Sequence, residues 1–318
     1  MRLLVTGASG FVGRNLILGA PVDWRITATW NRTEDFPAFL AAQGLRHVTP
    51  VRIDLTTATP EEVARAVGAE FDAAVLLAAN GDPAISVRRP HFDLASNVLA
   101  TVAVLEGVKI GRALSFSSGA VYDGLHGDVR PGTPVHPVLP YAISKLAAEH
   151  YLRSFVRAGR TGSAIAVRFF GAFGPYEPER KIYTKLVRAF AFERRRDFTI
   201  RGDGRNLIDA MYVDDAIAAV LLLLAAPVAD PFEIVDLASQ TPVSIESLVR
   251  TAAATFGVEP RITFEGEVPE FIEFRTVDPT MRERFGFRPH VALEAGLRRL
   301  ADHLARGAAA GPAAATRT

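Results

Sequence analysis

Three glycines separated by two residues each, Gly7, Gly10 and Gly13, follow at once on the apolar run Arg2-Leu3-Leu4-Val5-Thr6. A buried strand that turns over glycine straight into a helix leaves a chain few architectures. Gly7 permits the tight turn, Gly10 lets a pyrophosphate approach the backbone, and Gly13 lets the helix from Phe11 pack against its strand. The amides of that first helical turn, with Ser9, Phe11 and Val12 around them, and the helix dipole favour phosphate oxygens. The spacing is a variant of the dinucleotide fingerprint, and its place between a first strand and a first helix gives it meaning. A tight turn without ligand is the competing reading.

The chain keeps alternating through residue 170. Strand-like runs fall near 2–6, 25–30, 48–53, 73–79, 112–117 and 164–169; helix-like segments lie near 11–19, 60–68, 92–107 and 141–158. Such alternation predicts an α/β fold, a Rossmann-type doubly wound parallel sheet with helices on both faces. Further on, helices near 181–195, 213–225, 244–256 and 291–305 are separated by short strands at 198–200, 233–236 and 261–264. These predict a smaller C-terminal α/β substrate lobe over the carboxyl edge of the sheet. The expected division is 1–175 for the nucleotide-binding domain, with some later segments returning to it, and 176–306 mainly for the lobe. Residues 307–318 are expected to form a flexible, Ala-rich tail. Substrate would lie in the cleft between the two parts.

The second strand runs through Thr29-Trp30 into Asn31-Arg32-Thr33, with no acid before Glu34. An acid there holds the ribose of NAD, whereas an arginine suits the 2′-phosphate of NADP. Asn31 and Arg32 therefore mildly favour NADP over NAD, with a solvated loop arginine as the alternative. Asp54, beside Leu55, stands where a carboxylate can accept from an adenine amine. Leu77-Ala78-Ala79 end an apolar strand with small residues that let a cofactor lie against the sheet; Asn80, next along, is a candidate substrate contact.

Tyr141 and Lys145, in YAISK, sit four apart on one helical face. A nearby cation favours the phenolate of a tyrosine, which makes a general base from a group ordinarily protonated at neutral pH. The fifth strand ends in Ser115-Phe116-Ser117-Ser118, at a carboxyl edge that faces the cleft. Ser118 is the candidate donor to a substrate oxygen and Ser117 a cofactor neighbour, although serines at strand ends also form plain turns. Together the catalytic candidates Ser118, Tyr141 and Lys145 point to hydride transfer at a carbinol or ketone. Tyr141 would move the hydroxyl proton, Lys145 would hold the phenolate and the nicotinamide ribose, and Ser118 would polarise the oxygen.

Composition narrows the alternatives. The 318 residues are 49% hydrophobic, enough for a substantial core, and carry a net charge of +1. Near-neutrality gives no case for nucleic acid or an anionic membrane. The absence of cysteine excludes disulfides, thiolate catalysis and cysteine-ligated zinc, and fits a reducing cytoplasm. The most apolar segment, Ala218 to Ala226, is too short to span a bilayer and reads as a buried helix. The histidines show no metal-ligand spacing, so no metal is expected.

Taken in order, GASGFVG, LAA at 77–79, SSGAVY at 117–122, YAISK at 141–145, VRFFGAFGP at 167–175, GDGRNLIDAMYVDDA at 202–216 and GFRP at 286–289 resemble the extended short-chain dehydrogenase/reductase family. That family comprises NAD(P)-dependent nucleotide-sugar epimerases and dehydratases. The resemblance implies that Asn97 supports the active-site backbone beside the cofactor and that Phe170 to Phe173 pass close to nicotinamide and substrate. It further implies a homodimer, joined through a four-helix bundle of the helices near 92–107 and 141–158.

Departures from the family pattern matter as much. Dehydratases carry an acid pair just after the active-site hydroxyl; here those positions are Gly119 and Ala120, so a dehydratase of the usual kind is not expected. Gly171 stands where many members place a diphosphate-binding asparagine, and Ile208 where they place an arginine. Arg180, Lys181, Lys185 and Arg205 are candidate replacements for that charge, with a solvated helix face as the alternative. The leading expectation is an epimerase acting on a sugar or sugar nucleotide. A keto-sugar reductase consuming NADPH is the second, supported by Arg32 and by Val121-Tyr122-Asp123-Gly124; a non-catalytic NADP sensor is the third.

Overall fold

The computed structural model describes residues 1–267 and 272–309. The first half alternates β1 (Arg2–Thr6), α1 (Phe11–Gly19), β2 (Arg25–Trp30), α2 (Phe36–Ala42), β3 (Val48–Arg52), α3 (Pro60–Val67) and β4 (Glu70–Leu76). Next come α4 (Pro83–Arg88), α5 (Pro90–Leu94), a π-helical turn (Ala95–Leu99), α6 (Ala100–Gly107), β5 (Lys109–Ser118), β6 (His126–Val129), α7 (Pro140–Arg157) and β7 (Thr161–Phe169). The second half holds β8 (Ala172–Phe173), α8 (Ile182–Val187), β9 (Asp197–Arg201), β10 (Leu207–Ile208), β11 (Met211–Tyr212), α9 (Val213–Ala225) and β12 (Phe232–Leu237). It closes with β13 (Val243–Ser244), α10 (Ile245–Thr255), β14 (Arg261–Glu265), β15 (Glu273–Thr276), α11 (Thr280–Glu283) and α12 (Leu293–Ala309).

Seven strands form one parallel sheet in the order β12-β7-β5-β4-β1-β2-β3. The winding reverses between β1 and β4, and the crevice beyond their carboxyl ends is where such sheets bind ligands. Each strand sends alternate side chains to opposite faces. Leu3, Val5, Val75 and Leu114 pack beneath α1 and α9, whereas Leu4, Ala74, Leu76 and Ala113 pack beneath α3, α6 and α7. Covering both faces explains why these strands are apolar along their length. No helix among the described residues is long and apolar enough to cross a membrane.

Several boundaries differ from expectation, each for a local reason. The strand expected at 73–79 leaves the ladder after Leu76, because the Thr6 hydroxyl accepts from the Leu77 and Ala78 amides, both at 3.1 Å. The helix expected over 92–107 is broken by the π-turn at 95–99, the kind of widened turn often found at functional sites. The strand expected near 233–236 joins the main sheet as β12 beside β7. Small two-stranded sheets, β9 with β14 and β6 with β15 among them, build the rest of the second half. Asp215, fully buried in the first turn of α9, ties this half together by accepting from the His290 and Val291 amides. The last helix runs through Ala309; the remainder of the expected tail lies outside the described residues.

Candidate active site

The glycine loop is built for close approach. Gly7 has φ +65°, and a Cβ there would lie 2.7 Å from the Ala78 nitrogen; at Gly13 it would lie 2.6 Å from the Ala8 Cα. Only glycine lets strand, turn and helix meet this tightly. Helix α1 starts at Gly10 with no side-chain cap, so its first amides face the crevice for an anion to take. Arg14, which sequence reasoning missed, holds the loop by donating to the Ser9 carbonyl at 3.0 Å and to both Asp35 oxygens at 2.9 Å. That pairing also engages one of the two acids following β2.

A cleft of about 300 Å³ opens above the loop. Gly7, Ser9, Gly10, Asn31, Arg32, Asp54, Leu55, Leu77, Ala78 and Ala79 line it, and so do residues not anticipated, Thr29, Phe92, Ser96 and Ala100 among them. Ser96 belongs to the π-turn, which no sequence periodicity announces. Asp54 accepts from the Thr56 amide and hydroxyl, and those bonds hold its carboxyl below the usual range, with help from Asn31 and Arg32. Phe11, Val12 and Gly13 form the first turn of α1 beneath the cleft.

Two expected cofactor residues point elsewhere. Asn97 is 2% exposed; its Oδ1 accepts from the Asn80 amide at 2.8 Å, and its Nδ2 donates to Asp93 and Ser144. It therefore braces the backbone after β4, the role that the resemblance implies for it. Ser117 alternates with Ser118 along β5, so its hydroxyl faces α7 and donates to buried Glu149. Asn80, an expected substrate contact, borders a neighbouring cavity, but its amide nitrogen already serves Asp93 and the Asp82 carbonyl.

The catalytic candidates meet where β5 ends and α7 begins. Ser86 fixes the start of α7 by accepting from the Tyr141 amide at 3.0 Å, while Asp123 accepts from the amides of Val138 and Leu139. Ser118 stands close enough to the Tyr141 phenol to favour its charged form, and its hydroxyl accepts from the Ala120 amide at 3.1 Å. Lys145 is buried, its Nζ donates to the Phe116 carbonyl at 2.9 Å, and it lies 5.9 Å from the Tyr141 ring centre. The expected lowering of the tyrosine's pKa does not hold here. Burial raises the phenol's pKa, Ser118 only opposing it, and burial likewise pushes Lys145 down to about 8. Its ammonium is held by the β5 carbonyl, one turn along α7 from Tyr141.

Gly119 and Phe170 interlock. A Cβ at 119 would lie 3.0 Å from the Phe170 ring, so no acidic side chain fits there without moving it. Tyr122 is fully buried with its hydroxyl on Asp236, and Asp123 holds the entry to α7; the Val121–Gly124 stretch is thus occupied with structural bonds. Gly171 has φ +123° and faces Ala210. Arg180 pairs with Asp82 at 3.2 Å on the rim, and neighbouring Lys181 is exposed. Lys185 is exposed on α8 and Arg205 pairs with Asp203 at 3.7 Å; neither lines the two cavities described here.

Comparison with known proteins agrees with this geometry. The dTDP-glucose 4,6-dehydratase of Mycobacterium tuberculosis is 30% identical over 233 residues, covering 70% of this chain and 69% of its own. The low-salt glycan biosynthesis protein Agl12 of Haloferax volcanii is 26% identical over 95% of this chain and 98% of its own. The UDP-glucuronic acid 4-epimerase of Bacillus cereus, solved with UDP-glucuronic acid and NAD, superposes with a TM-score of 0.84 at 21% identity, covering 96% and 99% of the two chains. A family model matches residues 3–238, from the first strand through the last strand of the main sheet, and the chain belongs to the NAD dependent epimerase/dehydratase family.

Proposed function

We propose that this chain is a sugar epimerase acting on a nucleotide-linked sugar with a dinucleotide held in the glycine-loop cleft. The residues fit that cofactor: Gly7 and Gly10 leave the backbone open, the uncapped α1 amides would hold its phosphates, and Asp54 and Ala78 would contact its adenosine part. Bound there, NAD(P) supplies reversible hydride exchange at a carbinol carbon. The chain's own part is proton handling. Tyr141 takes the proton from the sugar hydroxyl and returns it, Ser118 donates to the same oxygen, and Lys145 holds positive charge beneath them.

The observation that carries this reading over dehydration is that Gly119 and Ala120, neither able to move a proton, stand where an elimination needs acids, with the Phe170 ring packed against Gly119. The dTDP-glucose dehydratase relative supports a nucleotide-sugar substrate. Arg32 on the cleft rim favours NADP, and an NADPH-consuming keto-sugar reductase is the second reading it supports; the NAD in the Bacillus cereus structure weighs the other way. A homodimer is supported by Leu94, Leu99, Ile143 and Tyr151, each 46–50% exposed on the α5–α6 and α7 helices, and light scattering would test it. A cytoplasmic location rests on the lack of cysteine.

Mass spectrometry of the nucleotide released when purified protein is denatured tests the reading. Stoichiometric NAD or NADP is expected of an epimerase that recycles its hydride. An empty site that takes up NADPH reversibly would favour the reductase instead.

A further inference from the structure

Beside the nucleotide cleft a second cavity of about 460 Å³ is walled by Arg32, Arg88, Arg89 and Arg180, with Asn80 and Phe92 among its other lining residues. The arginines come from three places: the end of β2, the α4–α5 junction and the loop before α8. Arg180 meets Asp82. Among the described residues, Arg32, Arg88 and Arg89 make no ion pair within 4.0 Å, and Asp54 attracts Arg32 from the cleft side. Phe92 holds two of them, its ring centre lying 4.9 Å from the Arg89 Cζ and 5.7 Å from the Arg32 Cζ. Stacking on a ring orders a guanidinium while leaving its N–H donors free.

Like charges converging on one cavity repel, and Asp82, paired with Arg180, leaves Arg88 and Arg89 without a carboxylate within 4.0 Å among the described residues. An anion among them removes that repulsion and takes their forked donors. We infer that this cavity binds the phosphoryl group of a ligand, distinct from the pyrophosphate cradle at the glycine loop. The group belongs either to the 2′-position of NADP or to the phosphate of the sugar substrate; both sources rest on the function proposed above.

Isothermal titration of the full-length protein with NAD, NADP, UDP-glucose and inorganic pyrophosphate tests this on wild type and R88A/R89A. Affinity for NADP or UDP-glucose is expected to fall about tenfold or more, with NAD unchanged. Loss confined to NADP assigns the 2′-phosphate; loss for UDP-glucose or pyrophosphate, with both dinucleotides unchanged, assigns the substrate. Equal loss of NAD and NADP would put these arginines on the cofactor's own pyrophosphate and overturn a separate site. Unchanged affinity for every probe overturns it too, while leaving the epimerase reading intact if NAD still binds. Wild type that binds neither dinucleotide nor UDP-glucose would sink both. Arg89→Gln, which keeps the aliphatic stem against Phe92, repeats the measurement should the double variant fail to fold.

Discussion

The α7 wall and the arginine-lined wall of the second cavity treat charge in opposite ways. On the α7 side, Arg168 and Glu149 are both 4% exposed and form a two-point pair at 2.8 and 3.0 Å, joined by Ser117. Lys145, one turn before Glu149, gives its ammonium to a backbone carbonyl. At the second cavity, Arg88 and Arg89 stand exposed, and among the described residues one of its four arginines, Arg180, is in an ion pair. Buried charges persist only when paired and hydrogen-bonded, so the α7 wall is fixed before any ligand arrives. Exposed arginines carry no such obligation, and their donors remain available. One wall therefore positions atoms, and the other selects what enters.

Variants of the fixed wall should produce the largest effects. Tyr141→Phe removes the proposed proton carrier and should cut turnover by about 10²–10⁴-fold while dinucleotide affinity stays within about twofold. Steady-state rates and titration check this together, and surviving turnover would remove Tyr141 from the chemistry. Glu149→Gln leaves Arg168 as an uncompensated buried charge and should cost about 3–5 kcal/mol in urea unfolding. Were the loss below about 1 kcal/mol, the pair would behave like a surface bridge and the contrast between the walls would fail.

Smaller effects sharpen the comparison. Gly7→Ala forces a Cβ toward the Ala78 nitrogen at a backbone with φ +65°, and should destabilise by about 1–3 kcal/mol while weakening NAD(P) binding. A fully stable, fully binding variant would mean that the loop has slack. The pH dependence is subtler. Burial pushes Lys145 down to about 8 from an ordinary 10.5, so the folded protein binds its proton less tightly than the unfolded chain does. The cost of burying the cation is present in full below about pH 8 and is relieved as pH rises from there toward 10.5. Activity runs the other way, because the cation is lost in the same window: kcat/KM should decline above about pH 8, and Lys145→Met should lack that limb. An identical high-pH limb in Lys145→Met would assign it to another group.

Much of this was legible because it is local. A strand, three glycines and a helix are neighbours in the chain, and Tyr141 and Lys145 share one helix, so spacing alone brought each set together. Asn97 was harder. Its partners lie 17 and 47 residues away, and only the fold shows that its amide is already engaged. Ser117 was misassigned although period-two alternation could have turned it toward α7, away from Ser118. Arg88 and Arg89 carried no signal, since an exposed arginine at a helix end looks like solvated charge until Arg32 and Arg180 arrive beside it.

The sequence by itself determined the α/β alternation, the glycine-loop nucleotide site and the tyrosine–lysine helix, because each depends on periodicity and short spacing. Only the tertiary structure decided which face each serine takes, that the lysine's ammonium rests on β5, and that four distant arginines wall one cavity. Burial and convergence are properties of packed elements, and no stretch of chain carries them until the sheet has brought those elements together.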